Sequence, residues 1–308
     1  MTKQINPNDR KYFRLLRKIK TKGFRNRVSR NGITRALFSE LLSLDLSTGL
    51  LPILTTKRVF WESVIGELLW FIRGGSEKTH YRLSLYDLIR LIGEKRAVAM
   101  WGLNQRQFAE KGKTLFDGDC GRIYGAQWRY WGENHIDQLA KLIDSLTKDP
   151  YSRYHIVNSW NPSEINDMCL PPCHMFFQCF VRTERDSKYL DLSMVQRSCD
   201  MFLGVPFNIL SYAMLVHILG RIIGAQPGIL KILLQDVHIY EKHIEEGAIK
   251  KQLSRKSLPP TARFEIPGFQ TLKELEEIID SIKSPEQTNK LFSVVDYESK
   301  PPIKATLL

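Results

Sequence analysis

Apolar positions along the chain repeat first at helical and then at strand spacing. Near the amino terminus Tyr12, Phe13, Leu15, Leu16 and Ile19 fall on one side of a helix, with Asp9 as its expected cap. The Arg-rich stretch that follows, FRNRVSRNGITR (24–35), is polar and interrupted by glycine, so it reads as a loop. Residues 62–73, ESVIGELLWFIR, are apolar almost all round, which predicts a buried helix carrying one acid, Glu67. A carboxylate among Ile65, Leu68, Leu69 and Trp70 is costly to bury without a partner. Ile136, Leu139, Leu142, Ile143 and Leu146 mark an amphipathic helix over 135–146.

From residue 155 the texture changes. HIVNSW, HMFFQCFV and KYLDLSMVQ are short β-rich segments, with Leu190, Leu192 and Met194 on one parity and Asp191 and Ser193 on the other. PFNILSYAMLVHILGRIIG then predicts a long core helix, and ILKILLQDVHIYEKHIEE a strand running into a helix. Gly, His and Arg break the longest apolar run (209–224), so no membrane span is expected. Thr271 with Glu274 forms a capping box ahead of Leu272, Leu275, Ile278, Ile279 and Ile282. With no repeat, low-complexity tract or linker, the expectation is a single α+β domain.

Composition adds a partner class. Hydrophobic residues make up 43% and charged ones 25% of 308, as in ordinary globular proteins. The formal charge of +12 favours anionic partners: phosphates, polyanionic cofactors or nucleic acid. Much of it sits in basic clusters at 10–30 and 250–256, which read first as solvated faces. MTKQINPNDRKYF lacks the hydrophobic region of a signal peptide, so the five cysteines are expected as reduced thiols in the cytoplasm. Cys169 and Cys173 have no second Cys/His pair at zinc spacing, and no metal is expected.

LPPCHMFF (170–177) places Cys173 directly after two prolines and ahead of an apolar run. Alone, that thiol reads either as a nucleophile or as an inert small residue at the mouth of a strand. Other stretches weigh on the choice: TTKRVFWESVIGELLWF (55–71), GRIYGAQWR (121–129), DPYSRYHIVNSWNP (149–162), QRSCDMFLGVPFNILSYAML (196–215) and DVHIYEKH (236–243). Together with LPPCH these resemble thymidylate synthase, in the family's order, from about residue 23 to the end. The resemblance implies a catalytic domain over 23–308 behind a basic helical extension at 1–22. It also implies a large mixed β-sheet layered against helices, with a sheet face at a homodimer interface.

The implied reaction is reductive methylation of dUMP to dTMP, with 5,10-methylenetetrahydrofolate giving both the one-carbon unit and the hydride and leaving dihydrofolate. Cys173 would be the nucleophile that adds to C6, with Arg197 of QRS favouring its thiolate and holding the substrate phosphate. Asn208 of VPFN matches the asparagine that reads N3 and O4; an aspartate there is the pattern of deoxycytidylate hydroxymethylases. Glu67 matches the glutamate that organises water for proton transfer, and Tyr124 a tyrosine assisting loss of the C5 proton. His174 follows the nucleophile without being required as its base. His238 and Tyr240, two apart on a strand, match the pair that bonds the deoxyribose 3′-hydroxyl.

Phosphate ligands carry over to Arg30, Arg197, Ser198 and Arg153, the last reaching across a homodimer into the partner's site. Trp101 and Phe207 match residues flanking the folate, Asp200 bonds its pterin beside the substrate, and Lys57 lies near the glutamyl tail. The carboxyl-terminal KATLL resembles a lid closing over both ligands. Three departures stand out. Tyr154 replaces a second arginine, a loss of about 1–3 kcal/mol of anion binding that Arg25, Arg27 or Arg35 would have to offset. Gly102-Leu103 follow Trp101 where an acid is usual, and Arg122 replaces a proline, adding a cation near the site. These changes leave two further readings: a dUMP hydroxymethylase on the same scaffold, or a non-catalytic homologue binding nucleic acid such as RNA.

Overall fold

The computed structural model describes residues 6–29 and 31–306. Ten strands run along them: β1 Phe24–Ser29, β2 Gly32–Asp45, β3 Leu83–Ser84, β4 Asp119–Gly121, β5 Ile156–Asn158, β6 His174–Glu184, β7 Ser187–Asp200, β8 Gln226–Tyr240, β9 Arg263–Glu265 and β10 Ser293–Val295. Six form one mixed sheet in the order β1-β2-β8-β7-β6-β5. Only β7 and β8 in it are parallel, and the helix Gly204–Ile223 makes the crossover that a parallel pair requires. The fold is a single α+β domain.

Alternation decides which sheet face is inside. Leu190, Leu192 and Met194 of β7, Leu230, Ile232 and Leu234 of β8, and Phe177, Cys179 and Val181 of β6 are all buried. They form one core with the helices Trp61–Arg73 and Gly204–Ile223. The opposite face leaves Leu41, Ile156 and Phe180 exposed, by 54%, 39% and 62%. Gly204–Ile223 differs from expectation in one respect. Its length and composition alone would let it cross a membrane, yet most of it is buried in the core.

The first helix, Pro7–Lys22, buries the five apolar residues expected of it. Its cap is Asn6 rather than Asp9: the Asn6 side chain accepts from the amides of Asn8 (2.9 Å) and Asp9 (3.4 Å). Asp9 turns inward and accepts from the amide and hydroxyl of Thr55. Tyr12 donates its hydroxyl to the carbonyl of Met201 (2.7 Å), so this helix shares the core with the rest of the chain. The expected loop at 24–35 is instead the β1–β2 hairpin. All of β1 is exposed, so pairing with β2 makes it a strand and no hydrophobic period could reveal it. At residue 271 half the capping box forms: Thr271 accepts from the Glu274 amide, but Glu274 reaches back to the amide of Gln270.

Candidate active site

The site lies where β7 and β8 end and β6 begins. Strand register opposes Asp200 to His238, Ser198 to Asp236, and His174 to Gln196, which brings Cys173 beside Arg197. Arg197 latches the Pro171-Pro172-Cys173 turn three times: its amide donates to the Cys173 carbonyl (2.8 Å), Nε to Pro172 (2.8 Å) and Nη2 to Pro171 (2.7 Å). Its guanidinium also stands 5.2 Å from the ring centre of Trp160. On the other side the Cys173 amide donates to the Tyr124 hydroxyl (2.7 Å), and Tyr124 stacks on Phe71 at 4.6 Å. Gly125 permits that approach, since a Cβ there would lie 2.5 Å from the Phe71 carbonyl oxygen. Burial pushes the Tyr124 phenol well above its ordinary pKa, so it stays protonated at neutral pH.

Two cavities meet at Cys173. One, of about 720 Å³, has a wall of mixed polarity, with Arg27, Ser29, Thr34, Arg197, Ser198 and His238 among its polar lining residues. The second, of about 400 Å³, has walls from Ala99, Met100, Trp101, Leu203 and Phe207, with Glu67 and Asn208 facing in. Leu170, Cys173, Ser198, His238 and Tyr240 belong to both. Both volumes suit small-molecule ligands.

Glu67 has the partner its burial demands: Trp101 donates Nε1 to its Oε1 at 2.6 Å. Desolvation raises its pKa to about 7, with the Trp101 bond pulling the other way. Trp101 sits in a single π-helical turn, Val98–Gly102, edge-on to Trp70. Asn208 is held by Gln196, whose Nε2 donates to its Oδ1 (2.9 Å). Burial lowers the His174 pKa to about 4, with Asn208 opposing, so the imidazole is neutral. His238 places Nδ1 3.3 Å from the Asp236 carboxylate, which also takes Arg27 Nη1 at 2.8 Å. The His238 bond, aided by Arg27, holds the Asp236 carboxyl below its usual range. Tyr240 packs edge-on to His238 at 5.4 Å, confirming that the two side chains share a face.

Residues 10–308 match the family described as thymidylate synthase. The chain is similar to a probable thymidylate synthase of Escherichia phage T5, 38% identical over 89% of this chain and 90% of that protein. Enterobacteria phage T4 thymidylate synthase is 39% identical over 89% and 91%, and that of Ascaris suum 38% identical over 85% and 88%. The chain belongs to the thymidylate synthase family. It is accordingly an enzyme of the methyltransferase class.

Against the family pattern, the cavities gather Cys173, Glu67, Tyr124, Asn208, Arg197, Ser198, Asp200, His238, Tyr240, Trp101 and Phe207. Asp200 lines the apolar cavity while its Oδ1 accepts from the amides of Phe202 (2.9 Å) and Leu203 (3.1 Å). Lys57 is not gathered: it is buried, donates Nζ to the Phe202 carbonyl and rests 3.9 Å from that ring's centre. Desolvation lowers its pKa to about 7, with Asp200 opposing. Arg153 is exposed and lines neither cavity of its own chain; beside it Tyr154 is 86% exposed. Arg30 lies outside the described residues, as do the last two residues of the tail. The described part of the tail docks on Glu246 and His243 through Thr306.

Two expectations about cations need correction. Arg122 is no site cation: Glu164 (2.7 Å) and the Tyr130 carbonyl hold it away from both cavities. Arg35 is locked on Glu241 through Nε and Nη2 (3.0 and 2.9 Å), so of Arg25, Arg27 and Arg35 it is Arg27 that faces the larger cavity. Gln196 escaped the sequence reading. A polar residue on the inward parity of Leu190, Leu192 and Met194 was the signal for it.

Proposed function

We propose that this chain converts dUMP to dTMP with 5,10-methylenetetrahydrofolate, through addition of Cys173 to C6 of the uracil. The carrying observation is the position of Cys173, at the meeting point of a larger cavity whose arginines and hydroxyls fit a nucleotide and an apolar slot fit for a planar ring system. C5 of uracil is a poor nucleophile until C6 is attacked, and a thiolate does this well. A guanidinium beside the cysteine favours the thiolate, and Arg197 is fastened to the same turn. Attack moves charge toward O4. Asn208 reads that edge of the base, its amide oriented by Gln196.

Glu67, poised near pKa 7, takes up and returns protons around O4 and C5 through water. The Tyr124 hydroxyl steadies the Cys173 backbone and assists departure of the C5 proton. His238 and Tyr240 meet the 3′-hydroxyl, while Arg197 and Ser198 meet the phosphate. The folate supplies the carbon unit and the hydride. Trp101, Leu203 and Phe207 would flank its ring and Asp200 would bond it; Lys57, behind Phe202, acts on the tail only if its carbonyl bond is released.

The phosphate site is completed in a homodimer. Arg153 lies outside its own cavity, and the exposed sheet face carrying Leu41, Ile156 and Phe180 suits a second copy, whose arginine then reaches across. The test is to incubate purified protein with dUMP and methylenetetrahydrofolate, follow dihydrofolate, and identify the nucleotide by mass. Equal amounts of dTMP and dihydrofolate are expected. Hydroxymethyl-dUMP with tetrahydrofolate would mean that water, not hydride, captures the methylene group. Absence of any product would overturn the enzymatic reading in favour of a binding role.

A further inference from the structure

Two cysteines outside the reaction stand face to face. β4 runs antiparallel to the segment before the Cys173 turn, bridged at Gly121 and Met168. The Arg122 amide donates to Asp167 (2.8 Å) and the Cys169 amide to Cys120 (3.1 Å), which makes Cys120 and Cys169 direct cross-strand neighbours. The Cys120 thiol donates to the Gly118 carbonyl (3.8 Å), and the neighbouring Cys169 thiol helps to raise its pKa. Gly121 makes the approach possible: its φ is +79°, and a Cβ on it would lie 2.1 Å from the Asp167 carbonyl oxygen.

We propose that Cys120 and Cys169 are a redox site, a thiol pair that closes into a reversible disulfide behind the catalytic turn. Residues opposed across antiparallel strands have Cα atoms about 4.5–5.5 Å apart. Disulfides span Cα separations of about 4.4–6.8 Å, so side-chain rotation is enough to close this one. Exposure sets the order of events. Cys169 is half-buried and Cys120 fully buried, so a peroxide meets Cys169 first. The Cys169 sulfur takes one oxygen from hydrogen peroxide to give a sulfenic acid and water. Cys120 then attacks that sulfur, forming the S–S bond and releasing a second water, and two electrons from a dithiol reductant reverse the change.

The pair is placed to affect catalysis. Cys120 precedes Tyr124 by four residues and Cys169 precedes Cys173 by four, and those two segments meet again at the Cys173 amide and the Tyr124 hydroxyl. Closing the disulfide pins both segments just behind that contact. The reaction needs Cys173 to advance on C6 and withdraw again, so the oxidised protein turns over more slowly.

Cys173→Ser protein, which lacks the reactive thiol, is treated with hydrogen peroxide, alkylated, digested and mapped by mass. The expected result is a linked Cys120–Cys169 peptide pair, two hydrogens lighter than the reduced pair and separated by dithiothreitol. Alkylation of both thiols, or a sulfinic acid at Cys169 beside a reduced Cys120, overturns the proposal. This readout does not depend on the reaction assigned to the site. For the effect on turnover, wild-type protein and Cys169→Ala are oxidised with dUMP shielding Cys173. Wild type should lose at least threefold in kcat and regain it with dithiothreitol, while Cys169→Ala holds its rate. Equal losses, or no loss in wild type once the link has formed, refute the tie to catalysis.

Discussion

Replacing Glu67 by Gln separates the cost of the buried acid from its use. Gln keeps an oxygen for Trp101 Nε1, now at 2.6 Å from the carboxylate, and removes the charge. The folded-state pKa of Glu67 is raised to about 7 from an ordinary 4.5, because burial penalises the ionised form. The folded chain therefore binds this proton more tightly than the unfolded one. That stability is fully present below pH 4.5 and is lost as pH rises through 7. Integrated between pH 5 and pH 8, the loss is about 2.5 kcal/mol, at about 1.4 kcal/mol for each pH unit in the interval. Glu67→Gln has no such term, so its stability relative to wild type should rise by about that amount over the same range. Urea unfolding of both proteins at pH 5 and pH 8, at one protein concentration, reads this directly. Turnover should fall about 10²–10⁴-fold in the same variant. A stability difference that does not change with pH, or one that shrinks as pH rises, would refute the reasoning.

Other residues give independent checks. Arg153→Ala and Cys173→Ser should each be nearly inactive alone, and mixing them under subunit exchange should restore part of the activity through hybrid dimers; no recovery would contradict the cross-subunit role. Tyr124→Phe removes the acceptor of the Cys173 amide, at a cost of about 1–3 kcal/mol, and should lower kcat about tenfold or more with little change in dUMP affinity. Unchanged kcat would remove Tyr124 from the mechanism. Tyr12→Phe leaves the Met201 carbonyl without its 2.7 Å donor and should destabilise the whole chain by about 1–3 kcal/mol in urea. Loss of the first helix alone, with the remainder as stable as before, would instead mark it as an appendage.

Legibility followed the physics of burial. The helices over 7–22, 61–73 and 204–223 were readable because each must bury a stripe or a whole surface. β7 was readable because Leu190, Leu192 and Met194 alternate with polar residues. The β1–β2 hairpin was hidden, since its order comes from backbone pairing among exposed arginines. Asp9 misled for a related reason: acids favour helix starts, but whether one caps or turns inward to Thr55 depends on a residue 46 positions away. In the site, motifs picked out Cys173, Asn208, His238 and Tyr240, which line the two cavities. The pairing of Arg122 with Glu164, the burial of Lys57 and the grip of Gln196 on Asn208 depend on tertiary neighbours, and no motif spacing encodes them.

The central claim is that Cys173 adds to C6 of dUMP. 5-Fluoro-dUMP tests it most directly, because fluorine at C5 does not leave as a cation and the reaction should halt after carbon transfer. Denatured, digested protein from an incubation with 5-fluoro-dUMP and methylenetetrahydrofolate would be weighed by mass spectrometry. Nucleotide and folate are expected together on the peptide containing Cys173, with no adduct in Cys173→Ser. An adduct on any other residue, or ligands that both wash away on denaturation, would contradict it.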